Sequence, residues 1–471
     1  MATGKSRRLP PFSGVLVLVM ASTGLVVIDI TIVALGLPSI SADIAGGASA
    51  ESVVVTYTVA MGALTQVVGS LSDRWGRRPL FLAGIAVFTL ASVAATAAPS
   101  LGWLNAARAV QGAGAAVIMV NGIPLLSGRY SGEARNLAIG AWGSFATAAG
   151  LIAPTFGGLL IDAFGWRAVF AINVPLGIAA YILAARVLPR LPRAASDARP
   201  DWVGSLLLMA GLGTTTMLML RPDAPWSGRD TALLAIAAVA LAGFFLVQLR
   251  VPSPTLELWM FTRPAFTGAM LAVFLSRVLT IGGTVYLVLY FAEALRLSPT
   301  AAGLLMTPIF AAQMITGMVG SKLLSHWAPG LVIGLGYALK GAGLTALALL
   351  VTPDTQWWAL LLPLLAWGAG GGIAGAPVMA VAVNVTAPER VGMVAGSVST
   401  LASIGGGVGT AALGAVYTIY GGPDPNAVTD GTRAVLTASA ALSVLAVITT
   451  LILINPRRVP RPARDREEAA A

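Results

Sequence analysis

Long, nearly uninterrupted apolar runs constrain this chain more than any other feature. They cover 12–37, 51–71, 79–98, 101–127, 134–160, 167–187, 202–220, 231–249, 266–291, 299–322, 330–351, 356–383, 391–420 and 433–454. Each is close to the roughly 20 residues that carry a helix across a bilayer. Inside hydrocarbon no water satisfies the backbone, so runs of this kind read as α-helices, whose N–H and C=O groups pair within the segment. Composition agrees: 57% of residues are hydrophobic, 10% are charged and the mean hydropathy is +0.84, against about a quarter charged in a soluble domain. A soluble enzyme, a secreted disulfide scaffold and a disordered chain are therefore excluded. With no cysteine and His326 as the single histidine, thiolate metal sites, thiol nucleophiles, histidine metal clusters and a Ser-His-Asp triad with a spare base are excluded too. No metal and no cofactor are expected.

Fourteen spans put both termini on one side of the membrane. If that side is the cytoplasm, the inner segments hold 21 of the 29 Lys and Arg residues and the outer segments 5. The remaining three, Arg108, Arg277 and Lys340, fall inside apolar runs. This bias sets both ends inside, and it accounts for the net charge of +10 without nucleic acid as a partner. The first run follows Lys5, Arg7 and Arg8 but is too long for the apolar region of a signal peptide, so it reads as a retained helix. Gly69-Ser70 recurs 251 residues later as Gly320-Ser321, and the same offset carries span 1 onto span 9 and span 5 onto span 13. The expected organisation is a six-helix bundle over 1–188, a linker with two extra spans over 189–255, a second six-helix bundle in parallel repeat over 256–455, and a disordered basic tail over 456–471 that touches anionic lipid.

The turn after span 2 reads Gly69-Ser70-Leu71-Ser72-Asp73-Arg74-Trp75-Gly76-Arg77-Arg78-Pro79. Read bare, Gly69 permits close helix approach, Asp73 can cap or pair, Gly76 suits a tight turn, and the arginines anchor topology. Its full spacing resembles the G-x-L-x-D-R-x-G-R-R loop of the major facilitator superfamily. Four further stretches support the likeness. Span 4 carries Arg108-Ala109-Val110-Gln111-Gly112-Ala113-Gly114, similar to the family's R-x-x-Q-G-x-G. Span 5 carries Gly150 through Pro154, Gly157 and Gly158, similar to the exporter motif G-x-x-x-G-P-x-x-G-G with Ala149 and Ala153 at two glycine positions. The stretch Trp166-Arg167-Ala168-Val169-Phe170-Ala171-Ile172-Asn173-Val174-Pro175-Leu176-Gly177 looks like the start of span 6 in the fourteen-helix drug:proton antiporter branch. Span 1 carries Asp29-Ile30-Thr31, similar to that branch's D-x-T-x-x-N-x-A-L-P, with Ala34 where the branch has asparagine.

The resemblance implies an all-α transporter, two helical bundles rocking about a central cavity, and no enzyme activity. It implies a proton-coupled antiporter that exports small amphipathic drugs, antibiotics or metabolites across a bacterial cytoplasmic membrane, with both termini cytoplasmic and a monomer as the working unit. An uptake symporter on the same fold, a membrane enzyme and a non-transporting sensor are the rivals. Asp29 lies nine residues before Pro38, and Arg108 seven after Leu101. At about 1.5 Å per residue the two reach similar depths, so they are candidate partners in proton coupling. An unpaired arginine at such depth costs a few kcal/mol. The 69–79 turn, with Gly69, Asp73, Arg74, Gly76, Arg77 and Arg78, is the expected gating latch. Pro154, Gly157 and Gly158 form the antiporter helix motif. Arg277, Tyr57, Gln66, Gln111, Asn121, Tyr286 and Trp367 are the candidate cavity residues. Lys340 is expected on a peripheral helix in a packing or lipid-facing role. With Asp29 the only acid expected deep in a span, the substrate class is neutral, zwitterionic or anionic rather than dicationic.

Overall fold

The computed structural model describes residues 13–46, 50–130, 132–188, 201–219, 227–251, 254, 258–324, 326–384, 391–422 and 424–454. The linker residues 189–200 and the tail 456–471 lie outside them. The apolar runs become helices α1 (Gly14–Ile40), α2 (Ser52–Trp75), α3 (Arg77–Thr96), α4 (Leu101–Arg129), α5 (Gly132–Phe164), α6 (Arg167–Val187), α7 (Trp202–Met219), α8 (Gly228–Gln248), α9 (Pro264–Ala294), α10 (Pro299–Leu323), α11 (Pro329–Leu350), α12 (Leu361–Asn384), α13 (Val391–Tyr420) and α14 (Pro425–Leu453). Among the described residues, twelve helices are long and apolar enough to cross a membrane, and α2 and α7 contribute the shorter apolar stretches Ser52–Thr65 and Trp202–Thr215.

Polar residues at the ends of the runs set where helices start. The hydroxyls of Ser13, Ser100 and Ser298 accept from the backbone N–H groups of Leu16, Trp103 and Ala301. The Asp424 carboxylate accepts from those of Asn426 and Ala427. Each relieves an orphan donor of a first turn. Gly76, at φ +95°, makes the abrupt turn between α2 and α3 that its sequence context predicted, because an L side chain rarely adopts that backbone. Large apolar side chains such as Leu90, Val239, Met318, Leu349 and Leu362 face outward, the arrangement a hydrocarbon solvent favours.

Without a hydrophobic drive between helices in lipid, close packing of small residues holds such a bundle together. Helices α1 to α6 pack on one another around Leu18, Phe81, Phe88 and Leu125. Helices α9 to α14 pack around Tyr286, Tyr290, Trp367 and Leu436. Two seams join the groups. In the first, α5 meets α10: Gly303 sits on the Pro154 carbonyl and Gly158 on the Pro299 carbonyl, so neither position has room for a Cβ. Thr155 and Thr307 share a hydroxyl hydrogen bond of 2.9 Å, and the Asp162 carboxylate accepts from the N–H and hydroxyl of Thr300. In the second, α2 meets α13, where Gly62 faces Ser403 and Gly407 faces Val59. The α7–α8 hairpin lies over this seam, with Leu208, Leu212 and Phe244 packed against Val55, Val59, Ala63 and Ile404.

One expectation about glycine changes. Gly69, expected to permit close approach, has its nearest neighbour, a Val120 methyl, at the ordinary distance of 3.9 Å from a hypothetical Cβ. Its repeat counterpart Gly320 lies directly on the Ile373 carbonyl. The stretch 368–372 also packs closely: Gly368 lies on the Ile309 carbonyl and Gly372 on Gln313 and Thr316 of α10.

The cysteine-free chain offers a direct test of the first seam. With a protease site inserted in 189–200, the pair Asp162→Cys and Thr300→Cys should form a disulfide under mild oxidation that keeps the cleaved fragments together. Adding Gly158→Leu should lower that yield. A wild-type background that never cross-links, or a leucine variant that cross-links equally, contradicts this packing.

Candidate functional site

The Arg108 guanidinium and the Asp29 carboxylate form an ion pair, Nη1 to Oδ2 at 2.6 Å, with both side chains fully buried. Five helices supply the surroundings. The same Nη1 donates to Gln111 Oε1 at 2.8 Å, one turn along α4, and Nε donates to the Val53 carbonyl of α2 at 3.2 Å. The other carboxylate oxygen, Asp29 Oδ1, accepts from Gln111 Nε2 at 3.0 Å and from Asn173 Nδ2 of α6 at 2.8 Å. Gln111 Nε2 also donates to the Ser92 hydroxyl of α3 at 2.9 Å. The guanidinium lies over the Tyr57 ring, 3.9 Å from its centroid, with Phe170 at 5.7 Å, close enough for cation–π attraction. Two polar atoms of the cluster, Arg108 Nη2 and the Tyr57 hydroxyl, have no hydrogen-bond partner among the described residues.

The expected partnership of Asp29 and Arg108 is thus a direct contact, and their matched depths are its cause. Gln111 and Tyr57, expected in the cavity, belong to this cluster instead. Their polar and aromatic surfaces are taken up by the ion pair.

Beside the cluster lies a cavity of about 450 Å³, within the size range of ligand sites. Its wall draws on α1, α2, α4, α5, α9, α10, α12 and α13. Val26, Val27, Ile30 and Thr31 of α1 face it, while Asp29 on the same turn points the opposite way into the ion pair. The lining is mainly apolar, with hydroxyls and amides such as Thr58, Thr65, Gln313, Ser399 and Ser403. Among the described residues, Arg277 is the charged one that lines it.

Other cavity candidates do not line it. Asn121 donates to the Val117 carbonyl within its own helix. Tyr286 donates to the Thr410 carbonyl and stacks on Tyr417 at 5.1 Å. Trp367 is buried against Gly283 in the second helix group. In each, a backbone carbonyl or a tight helix seam claims the side chain. The Gln66 side chain lies outside the described residues, as does that of Asp73. Of the two roles expected for Lys340, the structure has it packed rather than lipid-facing: it is 1% exposed. Its Nζ donates to Thr280 Oγ1 at 2.8 Å and to the Ser276 carbonyl at 3.4 Å, reaching α9 from a helix that packs mainly against α12 and α14.

Several contributors escaped the sequence reading: Asn173 and Ser92 in the ion-pair cluster, and Thr280, Gln313, Ser399 and Ser403 at the cavity. A signal existed for some. Thr58 and Thr65, and Arg277 and Thr280, repeat at helical spacing on apolar helices. In the 69–79 turn, Arg74 is exposed, and Arg78 Nη2 donates to the Ala185 carbonyl at 2.8 Å, tying α3 to the end of α6. At the other end of the bundle, Arg167 pairs with Asp43 at 2.6 Å and reaches the Ala98 carbonyl.

This architecture defines a polytopic helical carrier with a central cavity rather than an enzyme. The model of the Major Facilitator Superfamily matches residues 19–286 and 269–471, and the chain belongs to that superfamily. Among curated proteins it is 30% identical over 426 residues to the drug efflux pump JefA of Mycobacterium tuberculosis, covering 88% of this chain and 83% of that one. It is 30% identical over 431 residues to the methylenomycin A resistance protein of Streptomyces coelicolor, covering 88% and 87%. It is 31% identical over 453 residues to the puromycin resistance protein pur8 of Streptomyces alboniger, covering 93% and 90%. Among solved structures, a bacterial homolog of the human lysosomal transporter Spinster, inward-facing and unoccupied, superposes with a TM-score of 0.68 at 17% identity, covering 97% and 100%. A D-xylose-proton symporter gives 0.66 at 12% identity, covering 94% and 98%. These two share the fold.

Neutralising either charge alone leaves the other buried without its partner. We therefore expect Asp29→Asn or Arg108→Gln to lower the thermal unfolding midpoint of the purified protein, for a cost of about 3–5 kcal/mol. The double variant should recover part of that loss. Additive losses in the double variant would show that the pair is not coupled.

Proposed function

We propose that this chain is a proton-coupled antiporter with fourteen membrane spans, exporting small amphipathic drugs, antibiotics or metabolites from the cytoplasm. The observation that carries the reading is the buried Asp29–Arg108 pair, on the same turn of α1 as the cavity-lining Ile30 and Thr31. A proton on Asp29 turns a carboxylate surrounded by three donors into a group with an acceptor too few, so the cluster has to rearrange. The rearrangement is transmitted by α1, which carries Asp29 on one face and cavity residues on the other. Proton occupancy and substrate occupancy then bias the same two-state bundle, the thermodynamic requirement for coupling.

Relatives named for drug efflux and antibiotic resistance support the export reading. Small-residue packing at Pro154, Gly157 and Gly158 supports α5 as the helix on which the halves separate: Gly157 lies on Ile32 of α1 and Gly158 on α10. The 69–79 turn, through Asp73, Arg74, Arg77 and Arg78, acts as a latch between the halves when the outward-facing state forms. Proline residues in 189–200 lead into α7 and α8, the extra pair that sets the number of spans at fourteen. Both termini face the cytoplasm of a bacterial cell. Substrate enters from the cytoplasm or inner leaflet, alternating access carries it out, and protons return through Asp29.

The test uses purified protein in proteoliposomes with an imposed pH gradient and a panel of neutral, cationic and anionic amphiphiles. Substrate movement opposite to the proton gradient, with matching gradient dissipation, is expected for at least one class. Asp29→Asn should abolish gradient-driven movement while retaining substrate binding. Transport in the same direction as protons supports an uptake symporter. Gradient-driven export unchanged by Asp29→Asn refutes the role of Asp29.

A further inference from the structure

Two cations lie together in the second half of the chain, where the described residues supply no counter-charge. Arg277 has no hydrogen bond or ion pair among the described residues, and its exposure is to the cavity it lines. Among the described residues no Asp or Glu lines that cavity. Lys340 stands just behind the same wall, fully packed, its Nζ bonded only to neutral oxygens: Thr280 Oγ1 at 2.8 Å and the Ser276 carbonyl at 3.4 Å. Thr280 itself lines the cavity, so its hydroxyl links the buried ammonium to the open space. Lys340 uses one lone pair of that hydroxyl, which leaves the hydroxyl proton free to be donated toward the cavity. The helix widens here into a π turn over Val278–Gly282, a distortion common at functional sites. By contrast, the acid of the first half is neutralised by Arg108.

A charge inside a membrane bundle is costly unless something compensates it. For Asp29 and Arg108 the compensation is internal. For Arg277 and Lys340 the described residues provide none, while the cavity beside them is roomy, mainly apolar and ringed with hydroxyls. The geometry points to a docking place for a single anionic group, a carboxylate or a similarly charged oxyanion, held by Arg277 and the Thr280 hydroxyl. Lys340 adds positive potential from behind. The apolar body of the same ligand lies against Phe310, Met119 and Ile281. The site therefore selects an amphipathic anion among the substrate classes left open above. This inference rests on reading the cavity as the transport site, but its test measures binding without flux.

The probes are 1-pyrenebutyrate, 1-pyrenebutanol and a pyrenebutyl-trimethylammonium salt, titrated against full-length protein in phosphatidylcholine nanodiscs. They share one aromatic body and differ in the charge of the head. The carboxylate should bind about tenfold tighter than the alcohol, the size expected for a charge-assisted hydrogen bond gained at a desolvated site. The trimethylammonium probe should bind weakest. Arg277→Gln should remove the carboxylate's advantage while the alcohol still binds, which shows at once that the cavity remains folded. Lys340→Gln should reduce the advantage without removing it. Equal binding of the three probes, tightest binding of the cation, or a carboxylate preference that survives Arg277→Gln overturns the proposal. Nanodiscs containing phosphatidylglycerol separate the two sources of an oxyanion. If that lipid displaces the carboxylate probe in an Arg277-dependent way, the site holds a lipid headgroup and the substrate assignment fails. Failed export with intact anion preference counts against the export reading alone, and intact export without the preference counts against this inference alone.

Discussion

A guanidinium buried among membrane helices has to be neutralised from within the protein, and around Arg108 that demand fixes how the first helices sit. Its ion pair with Asp29 joins α4 to α1. Its bond to the Val53 carbonyl and its stacking on Tyr57 add α2. Gln111 and Ser92 bring in α3, and Asn173 and Phe170 bring in α6. One charge pair therefore specifies a rotation about the axis of each of five helices. Dispersion between apolar faces leaves that rotation weakly specified, because many side-chain packings of similar energy exist in lipid.

The seams between the two helix groups obey a different constraint. They close by removing side chains. Gly158 and Gly303 bring backbones into contact, and Gly62 and Gly407 make room for Ser403 and Val59. Few polar contacts cross the α5–α10 seam: the Thr155–Thr307 bond and the bonds of Asp162 to Thr300. A seam crossed by few polar bonds gives up few of them when it parts. The charge cluster is kept inside one group, where no such parting breaks it. The α7–α8 hairpin covers the α2–α13 seam through Leu208, Leu212 and Phe244, so this pair touches both groups.

The two halves also differ in electrostatics despite their repeat. The first contains a compensated pair. The second contains Lys340 with neutral partners and Arg277 with none among the described residues, and the second-half turn Gly320-Ser321-Lys322 has neither the acid nor the arginines of its first-half counterpart. The cavity between them thus has a neutral wall on the α1 side and a positive one on the α9 side. An asymmetry of this kind orients an amphipathic ligand within a pocket whose apolar lining alone offers no preferred direction.

Much of this was legible in the sequence. Apolar runs of near-constant length dictate helices, since lipid allows almost nothing else. The 69–79 motif, the Arg108 and Pro154 motifs and the stretch from Trp166 identified the family. Depth counted from helix ends paired Asp29 with Arg108 across 79 residues, because rise per residue is nearly constant along a helix. The direction each side chain takes around its axis was not legible. Tyr57, Gln111, Asn121, Tyr286 and Trp367 are polar or aromatic residues on apolar helices, and the sequence offers no reason to separate those that face a cavity from those that close a seam. Lys340 shows the limit most plainly: its helix is peripheral by family likeness, yet its ammonium points inward to Thr280. The sequence by itself determined which segments cross the membrane and which charges lie within them, since both follow from local composition and length. Only the tertiary structure decided which of those charges are paired and which face open space, because that depends on helix rotations set jointly by distant residues.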